Sequence, residues 1–298
     1  MKKKIPFLGT GTALITPFRE GEVDYPALEG LIERQIEAKI PALIVGGTTG
    51  EAATLSDEER YGVYRFAIEQ AAGRTKIILG AGTNDTRVAI RHTEAAELFG
   101  ADGILVVTPY YNKGTERGTA EHYRAIARAT SLPVILYNVP SRTGVNLSLG
   151  LLRELSEIDN IVAIKEAGDS LDRLVELSTL SDALKIYSGN DTQIFPTLSL
   201  GGVGVISVAS NLFPREIEEI SSLFFRGEHE RARELQKALL PLIHALFWET
   251  NPTPVKYAAW RMGLCQNELR LPLAPLCQRF EETLDSLLEG AKDILGKI

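Results

Sequence analysis

The sequence contains few of the residues that stabilise small secreted domains or hold structural metals. It has two cysteines in 298 residues, Cys265 and Cys277, both near the C-terminus. Two cysteines are too few for a disulfide framework or a zinc knuckle. A chain of this length buries enough apolar surface to fold without either. We therefore expect a reducing compartment, the cytoplasm.

Concentrated positive charge and long apolar runs are also missing. The formal net charge is −7, and the basic run Lys2-Lys3-Lys4 is short, which argues against nucleic acid as a partner. No window approaches the roughly 18 uninterrupted apolar residues of a membrane span. Prolines and glycines interrupt the segment from Ile5 to Phe18, so we expect no signal peptide and no membrane partner.

Metal-binding and nucleotide-binding patterns are absent as well. The four histidines, His92, His122, His229 and His244, all fall in predicted helices without metal-ligand spacing. No GxGxxG opens a helix, and Gly9-Thr10-Gly11 lies inside a predicted strand, where it indicates close backbone packing. We expect neither a metal nor a cofactor.

Eight short, β-branched apolar runs recur along the first two thirds of the chain. Most are continuously apolar, as expected of parallel strands covered on both faces. The predicted strands are Leu8–Thr16, Ala42–Gly47, Lys76–Gly82, Gly103–Thr108, Pro133–Asn138, Ile161–Lys165, Leu184–Ser188 and Val203–Val208.

Amphipathic stretches of helical period separate these strands, and several begin with capping signals such as Ser56 followed by Glu59. Eight strand–helix repeats predict an α/β fold, a (β/α)8 TIM barrel. A doubly wound sheet is the alternative, but the count of eight favours the barrel. After Val208 the pattern is helical throughout. We predict a catalytic barrel over residues 1–224 and a C-terminal all-helical extension over residues 225–298.

In such barrels the chemistry lies at the C-terminal ends of the strands. Lys165 ends the sixth predicted strand after four apolar residues. Shielding from water favours the neutral amine, which can attack a carbonyl and form an imine. The alternative is a structural lysine paired with a carboxylate such as Glu166. Lys76 and Lys185 lie at the opposite strand ends, where we expect solvated side chains.

Other strand ends add polar groups to the same face of the barrel. Tyr137 ends the fifth strand and Arg142 follows it, offering a planar fork to a carboxylate. Thr48 and Thr49 follow the second strand in a glycine-flanked turn whose N–H groups can hold a carboxylate. Taken singly, a core tyrosine, a surface ion pair and an ordinary tight turn explain these residues as well.

Five motifs in order along the chain resemble the dihydrodipicolinate synthase family, within the pyruvate-dependent aldolase superfamily that includes N-acetylneuraminate lyase. The resemblance covers nearly the whole chain. The motifs are Gly47-Thr48-Thr49-Gly50-Glu51, Thr108-Pro109-Tyr110-Tyr111-Asn112, Tyr137-Asn138-Val139-Pro140-Ser141-Arg142-Thr143-Gly144, Ile164-Lys165-Glu166-Ala167 and Gly204-Val205-Ile206-Ser207-Val208.

The resemblance implies a lyase of lysine biosynthesis that condenses pyruvate with L-aspartate 4-semialdehyde through an imine on Lys165. It implies a proton relay of Tyr137, Thr48 and Tyr111, with Tyr111 supplied by a neighbouring subunit of a homotetramer, a dimer of dimers. Thr49 would hold the pyruvate carboxylate and Arg142 that of the semialdehyde.

The resemblance also implies a pocket lined by Ile206 and Gly189. N-acetylneuraminate lyase, or another sugar-acid aldolase, is the alternative within the superfamily, and it lacks the Ser-Arg-Thr-Gly pattern that contains Arg142. A barrel that only binds a 2-oxo acid is the alternative outside catalysis. Retention of lysine, tyrosine and threonine at separate strand ends argues against that second alternative.

One departure from the family pattern concerns regulation by lysine. Lysine-inhibited members carry an acidic residue where this chain has Val88, and often histidines where it has Asp57 and Arg60. Tyr110 and Asn84 are retained. A valine cannot receive an ammonium group, so the sequence predicts weak or absent feedback inhibition.

Overall fold

Eight parallel strands close into a barrel in the computed structural model, which describes residues 4–295. The strands follow one another around the barrel in chain order, and β1 pairs with both β4 and β10. Lys2, Lys3 and the last three residues of the predicted extension lie outside the described residues. The barrel strands are β1 (Gly9–Ala13), β4 (Ala42–Val45), β5 (Lys76–Gly80), β6 (Gly103–Val107), β7 (Val134–Asn138), β8 (Ile161–Glu166), β9 (Lys185–Ser188) and β10 (Gly204–Ser207).

The predicted barrel is confirmed, and the doubly wound sheet is excluded because the sheet has no free edge between β1 and β10. The strands are buried along nearly their whole length, as their continuous apolar runs indicate. The helices outside the sheet are α1 (Tyr25–Glu37), α2 (Asp57–Ala71), α3 (Thr86–Phe99), α4 (Glu116–Arg128), α6 (Leu149–Leu155), α7 (Leu171–Ser178) and α9 (Pro214–Phe225).

Helix starts follow the capping chemistry of the sequence. Ser56 and Glu59 form a capping box, in which the Glu59 N–H donates to Ser56 Oγ and the Ser56 N–H donates to Glu59 Oε2. Thr115 caps α4, and Ser170 caps α7. Each cap satisfies an N–H group that the first helical turn cannot pair internally.

The sequence does not predict the short elements, because each spans too few residues for its periodic pattern to repeat. They are the two-stranded hairpin of β2 (Phe18–Arg19) and β3 (Glu22–Val23), and the helices α5 (Pro140–Thr143) and α8 (Ile194–Ser199). Of these, α5 matters most for the site, since it carries Arg142 directly after β7.

The barrel closes at a pair of glycines. Gly9 of β1 lies opposite Gly204 of β10, and both have positive φ angles, +92° and +155°. A Cβ on Gly204 would lie 1.8 Å from the Gly9 carbonyl oxygen. The two backbones therefore approach too closely for any side chain at position 204.

The chain continues beyond the barrel as α10 (His229–Ala245), α11 (Thr253–Arg261) and α12 (Gln278–Leu295). Helix α10 packs against α9 and α12, and α11 packs against α12. Residues 251–270, which include α11, contact the turn after β4 at the top of the barrel. Within the described part of the chain, no helix combines the length and apolar character needed to cross a bilayer.

Candidate active site

Lys165 and Tyr137 face each other at the top of the barrel interior. They occupy paired positions on β8 and β7, and the Lys165 Nζ lies 4.3 Å from the centroid of the Tyr137 ring. Their exposed fractions are 5% and 6%. No carboxylate of the described residues lies within ion-pair distance of Lys165. A buried amine without a carboxylate partner, beside a phenol, is the arrangement that imine chemistry requires.

Glu166 faces the opposite side of the sheet and does not pair with Lys165. Asn138 Nδ2 donates to both Glu166 carboxylate oxygens at 2.9 and 3.0 Å, and the Gly168 N–H donates to Oε1. Arg173 Nε lies 3.5 Å from Oε2. Burial raises the pKa of Glu166, and these contacts oppose that rise. The hydrogen bonds between Asn138 and Glu166 join β7 to β8 one residue beyond Tyr137 and Lys165.

Asp191, which the sequence did not single out, is a second buried carboxylate near the top of the barrel. Its Oδ2 accepts from the N–H groups of Val208 and Ala209, both at 2.9 Å. Burial raises the pKa of Asp191, whereas these bonds, Ser207 and the charge of Lys165 lower it. Asp191 thereby holds the start of the turn after β10.

A cavity of about 600 Å³ is lined in part by Tyr137, whose ring contacts Lys165; the Lys165 side chain itself is not on the cavity wall. Thr48, Tyr137, Arg142 and Asn251 lie on its wall, together with the aliphatic side chain of Val139. The structure thus brings a phenol and a guanidinium from β7 and α5, and a hydroxyl from the turn after β4, to one space. The volume suits two small carboxylic acids better than a macromolecule.

The turn that carries Thr48 and Thr49 is held on both sides. Within the turn, the Gly50 N–H donates to the Gly47 carbonyl at 3.1 Å. Thr49 is buried, and its Oγ1 accepts from Asn251 Nδ2 at 3.0 Å. Thr49 therefore lies behind the cavity wall, whereas Thr48 lies on it.

Arg142 projects from α5 at the cavity mouth. Its Nη2 donates to the Asn251 carbonyl at 3.0 Å, and the side chain is otherwise exposed. Pro140 begins the short helix and Gly144 ends it in the left-handed region at φ +69°. The local sequence therefore fixes where the guanidinium stands.

The remaining predicted residues lie around, and not on, this cavity wall. Ile206 is fully buried in the apolar cluster that contains Tyr137. Gly189 lies where a Cβ would meet the Ala167 Cβ at 2.6 Å, so β8 and β9 need a glycine there. Tyr111 is 89% exposed and has φ +72°, and it does not line the cavity.

The cavity wall also contains the residues that bear on the predicted response to lysine. They are Val88, Arg60, Asp57 and Tyr110, and His92 lines the same cavity. Arg60 donates to the Ala52 carbonyl at 2.6 Å, and Asp57 bonds His92 at 3.1 Å. The hydrogen bond from His92 lowers the pKa of Asp57, while burial lowers the pKa of His92.

The four histidines all lie in helices, as the sequence predicts. Among the described residues, no group of three or more histidine, cysteine, aspartate or glutamate side chains is arranged to hold a metal ion. Burial lowers the pKa of His122 to about 4.

Comparisons with known proteins agree with this geometry. A 4-hydroxy-tetrahydrodipicolinate synthase of Alkaliphilus oremlandii is 51% identical over 271 residues, covering 91% of this chain and 93% of that protein. The structure of the 4-hydroxy-tetrahydrodipicolinate synthase of Methylacidiphilum fumariolicum SolV superposes with a TM-score of 0.95 at 46% identity, covering 99% of this chain and 98% of that one.

A dihydrodipicolinate synthase variant described as monomeric superposes with a TM-score of 0.94 at 42% identity, covering 96% of this chain and 97% of that one. The family model described as "Dihydrodipicolinate synthetase family" matches residues 6–291. On this match, and with Lys165 and Tyr137 paired inside the top of an eight-stranded barrel, the chain belongs to the dihydrodipicolinate synthetase family.

Proposed function

We propose that this protein condenses pyruvate with L-aspartate 4-semialdehyde to give 4-hydroxy-tetrahydrodipicolinate, in the diaminopimelate route to lysine. The observation that carries the proposal is the buried Lys165 amine. It lies 4.3 Å from the centroid of the Tyr137 ring, and Tyr137 lines a cavity that also has Thr48 and Arg142 on its wall. The curated relatives bear the name of this activity.

The reaction begins at Lys165. Its neutral amine adds to the keto carbon of pyruvate, and loss of water gives an imine. Loss of a methyl proton turns the imine into an enamine, whose carbon attacks the aldehyde of the semialdehyde. The amino group of the adduct then attacks the imine carbon, closes the ring and releases Lys165.

Each of these steps moves a proton, which requires acids and bases close to the amine. Tyr137 is in place on the neighbouring strand, and Thr48 lies on the cavity wall. We propose that Tyr111 completes the relay from a neighbouring subunit, since its side chain is 89% exposed here. Thr49 and the N–H groups of its turn would hold the pyruvate carboxylate, with Ile206 and Gly189 closing the pocket behind.

The assembly, compartment and domain division are proposals that accompany this function. We propose a cytoplasmic homotetramer with pyruvate and the semialdehyde as its substrates and no cofactor. The proposed division between residues 224 and 225 falls one residue before the end of α9, which contacts β1. Sedimentation analysis of the purified protein tests the tetramer.

A coupled assay tests the function directly. Purified protein, pyruvate and L-aspartate 4-semialdehyde should drive oxidation of a reduced nicotinamide cofactor by a downstream reductase. Omission of either substrate should abolish the signal. Turnover of N-acetylneuraminate instead of the semialdehyde would support the sugar-acid alternative, and binding of pyruvate without turnover of either would support a non-catalytic barrel.

We also predict that lysine inhibits this protein weakly or not at all. The cavity wall presents Val88 and the Arg60 guanidinium, and the Asp57 carboxylate is already bonded to His92. An ammonium group there meets a cation and an alkyl group in place of a free carboxylate.

Steady-state rates across a lysine titration, for the unchanged protein and for Val88→Glu, measure this. The unchanged protein should keep its rate at millimolar lysine, and Val88→Glu should gain sensitivity. Strong inhibition of the unchanged protein by sub-millimolar lysine contradicts the prediction.

A further inference from the structure

A buried ion pair joins the C-terminal extension to the hydroxyl-bearing turn. Lys256 Nζ of α11 lies 2.6 Å from Glu51 Oε1, and the two side chains are 0% and 1% exposed. Glu51 is the last residue of the turn that contains Thr48 and Thr49. Its backbone N–H donates to the Thr48 carbonyl at 3.1 Å, so a shift of Glu51 is passed directly to Thr48.

The surroundings of the pair show that it is a built feature of the fold. The second carboxylate oxygen of Glu51 accepts from the Arg270 N–H at 3.1 Å. The Phe18 ring is contacted by Lys256 Nζ at 4.2 Å and by the Arg270 guanidinium at 4.4 Å. The pair is therefore shielded from water by an aromatic ring and by the chain that supplies Arg270.

Glu51 also occupies a backbone conformation that needs support. Its φ of +51° lies in the left-handed region, which side chains other than glycine and asparagine rarely adopt. A buried carboxylate held by an ammonium and an N–H group supplies that support. Without Lys256 the buried Glu51 carboxylate would move toward water, and the turn would shift with it.

Asn251, at the start of the same segment, makes the second connection. Its Nδ2 donates to Thr49 Oγ1, and its carbonyl accepts from Arg142. One segment, residues 251–270, thus contacts the proposed pyruvate-binding turn through Asn251, Lys256 and Arg270, and the mouth arginine through Asn251.

We propose that Lys256 and Glu51 are positioning residues for pyruvate, through which the C-terminal extension holds the Thr48–Thr49 turn in its binding geometry. Neither side chain contacts the substrate. The inference rests on the proposed function, because it assumes that this turn holds the pyruvate carboxylate.

The charges around the pair define the test. Lys256→Met removes the cation bonded to the buried Glu51 carboxylate and leaves Arg270 as a nearby positive charge. Glu51→Gln removes the anion bonded to the Lys256 ammonium and leaves Glu268 as a nearby negative charge. Burial already lowers the pKa of Lys256. The other titratable groups that face Lys256 are Glu268 and Cys265. Burial raises the pKa of the Cys265 thiol to about 11. The Arg270 guanidinium stacks on Phe18 beside Lys256.

The measurement is the pyruvate concentration that half-saturates borohydride trapping, followed by intact mass across a pH series. At neutral pH each single variant should need roughly tenfold more pyruvate than the unchanged protein. For Glu51→Gln this gap should narrow as pH rises and the Lys256 ammonium loses its proton. The double variant, Lys256→Met with Glu51→Gln, should bind pyruvate almost normally at every pH.

Arg261→Met is the matched control, because Arg261 also leaves α11 but pairs with Asp285 of α12, away from the turn. It should leave half-saturation unchanged. A folded Lys256→Met or Glu51→Gln variant with the half-saturation and pH profile of the unchanged protein overturns the proposal. So does a folded double variant as weak as the singles. If one single variant does not fold, the other and the double variant decide. No trapping with the unchanged protein would refute the proposed function instead.

Discussion

Replacing Lys165 by methionine should abolish covalent capture of pyruvate. Methionine matches the lysine side chain as far as Cε but lacks the amine, and the site is buried beside Tyr137, so the fold should survive. Because the imine is the entry to every later step, we expect the condensation rate to fall by at least about a thousandfold. Borohydride reduction with pyruvate, followed by peptide mass mapping, should show an adduct on Lys165 in the unchanged protein and none in the variant.

Lys76→Met is the matched control for that experiment. Lys76 lies at the opposite end of a barrel strand, half-exposed and paired with Asp102 at 2.8 Å. Its loss should leave both the adduct and the rate unchanged, because exposed ion pairs contribute little to stability. An adduct that persists in Lys165→Met on another lysine would show that the nucleophile has been misassigned.

Replacing Arg142 by alanine should separate the two substrates. The guanidinium stands at the cavity mouth, apart from the buried amine, and the proposed function gives it the semialdehyde carboxylate. Loss of a charge-assisted, two-pronged contact costs about 1.5–3 kcal/mol, or roughly 10- to 150-fold in kcat/KM for the semialdehyde. Half-saturation of borohydride trapping by pyruvate should change little.

Arg142→Lys refines this result. A lysine keeps the charge but loses the planar fork, so its kcat/KM should fall between those of the unchanged protein and the alanine variant. A parallel loss of pyruvate capture in both variants would assign Arg142 to the first substrate, or to the support of Asn251, whose carbonyl it contacts.

The barrel could be predicted from the sequence because its strands are buried on both faces. Runs such as Ile161–Lys165 are continuously apolar, and a lysine at the carboxyl end of one run is informative wherever strands are parallel. Strand geometry also explains why Glu166 does not pair with Lys165. Adjacent strand residues face opposite sides of a sheet, so the glutamate could not share the barrel interior with the lysine.

The support of the site could not be predicted in the same way. Asn251 bonds Thr49 across 202 residues of chain, and Lys256 meets Glu51 across 205. Nothing in local periodicity specifies such pairs, because both partners are polar residues in segments whose burial comes from tertiary packing. Asp191 escaped notice for the same reason, and the four-residue helix that carries Arg142 is too short to show a period.

The glycine seam between β1 and β10 has a consequence for the order in which the molecule is made. The ribosome releases Gly9 long before Gly204, and the first strand must wait for nearly two hundred residues before its second neighbour exists. Lys165 is synthesised before Gly204, and therefore before β1 can pair with β10 to close the barrel. Asn251 and Lys256, which contact the Thr48–Thr49 turn, are synthesised after Gly204, so all eight barrel strands are made before the residues that support this turn.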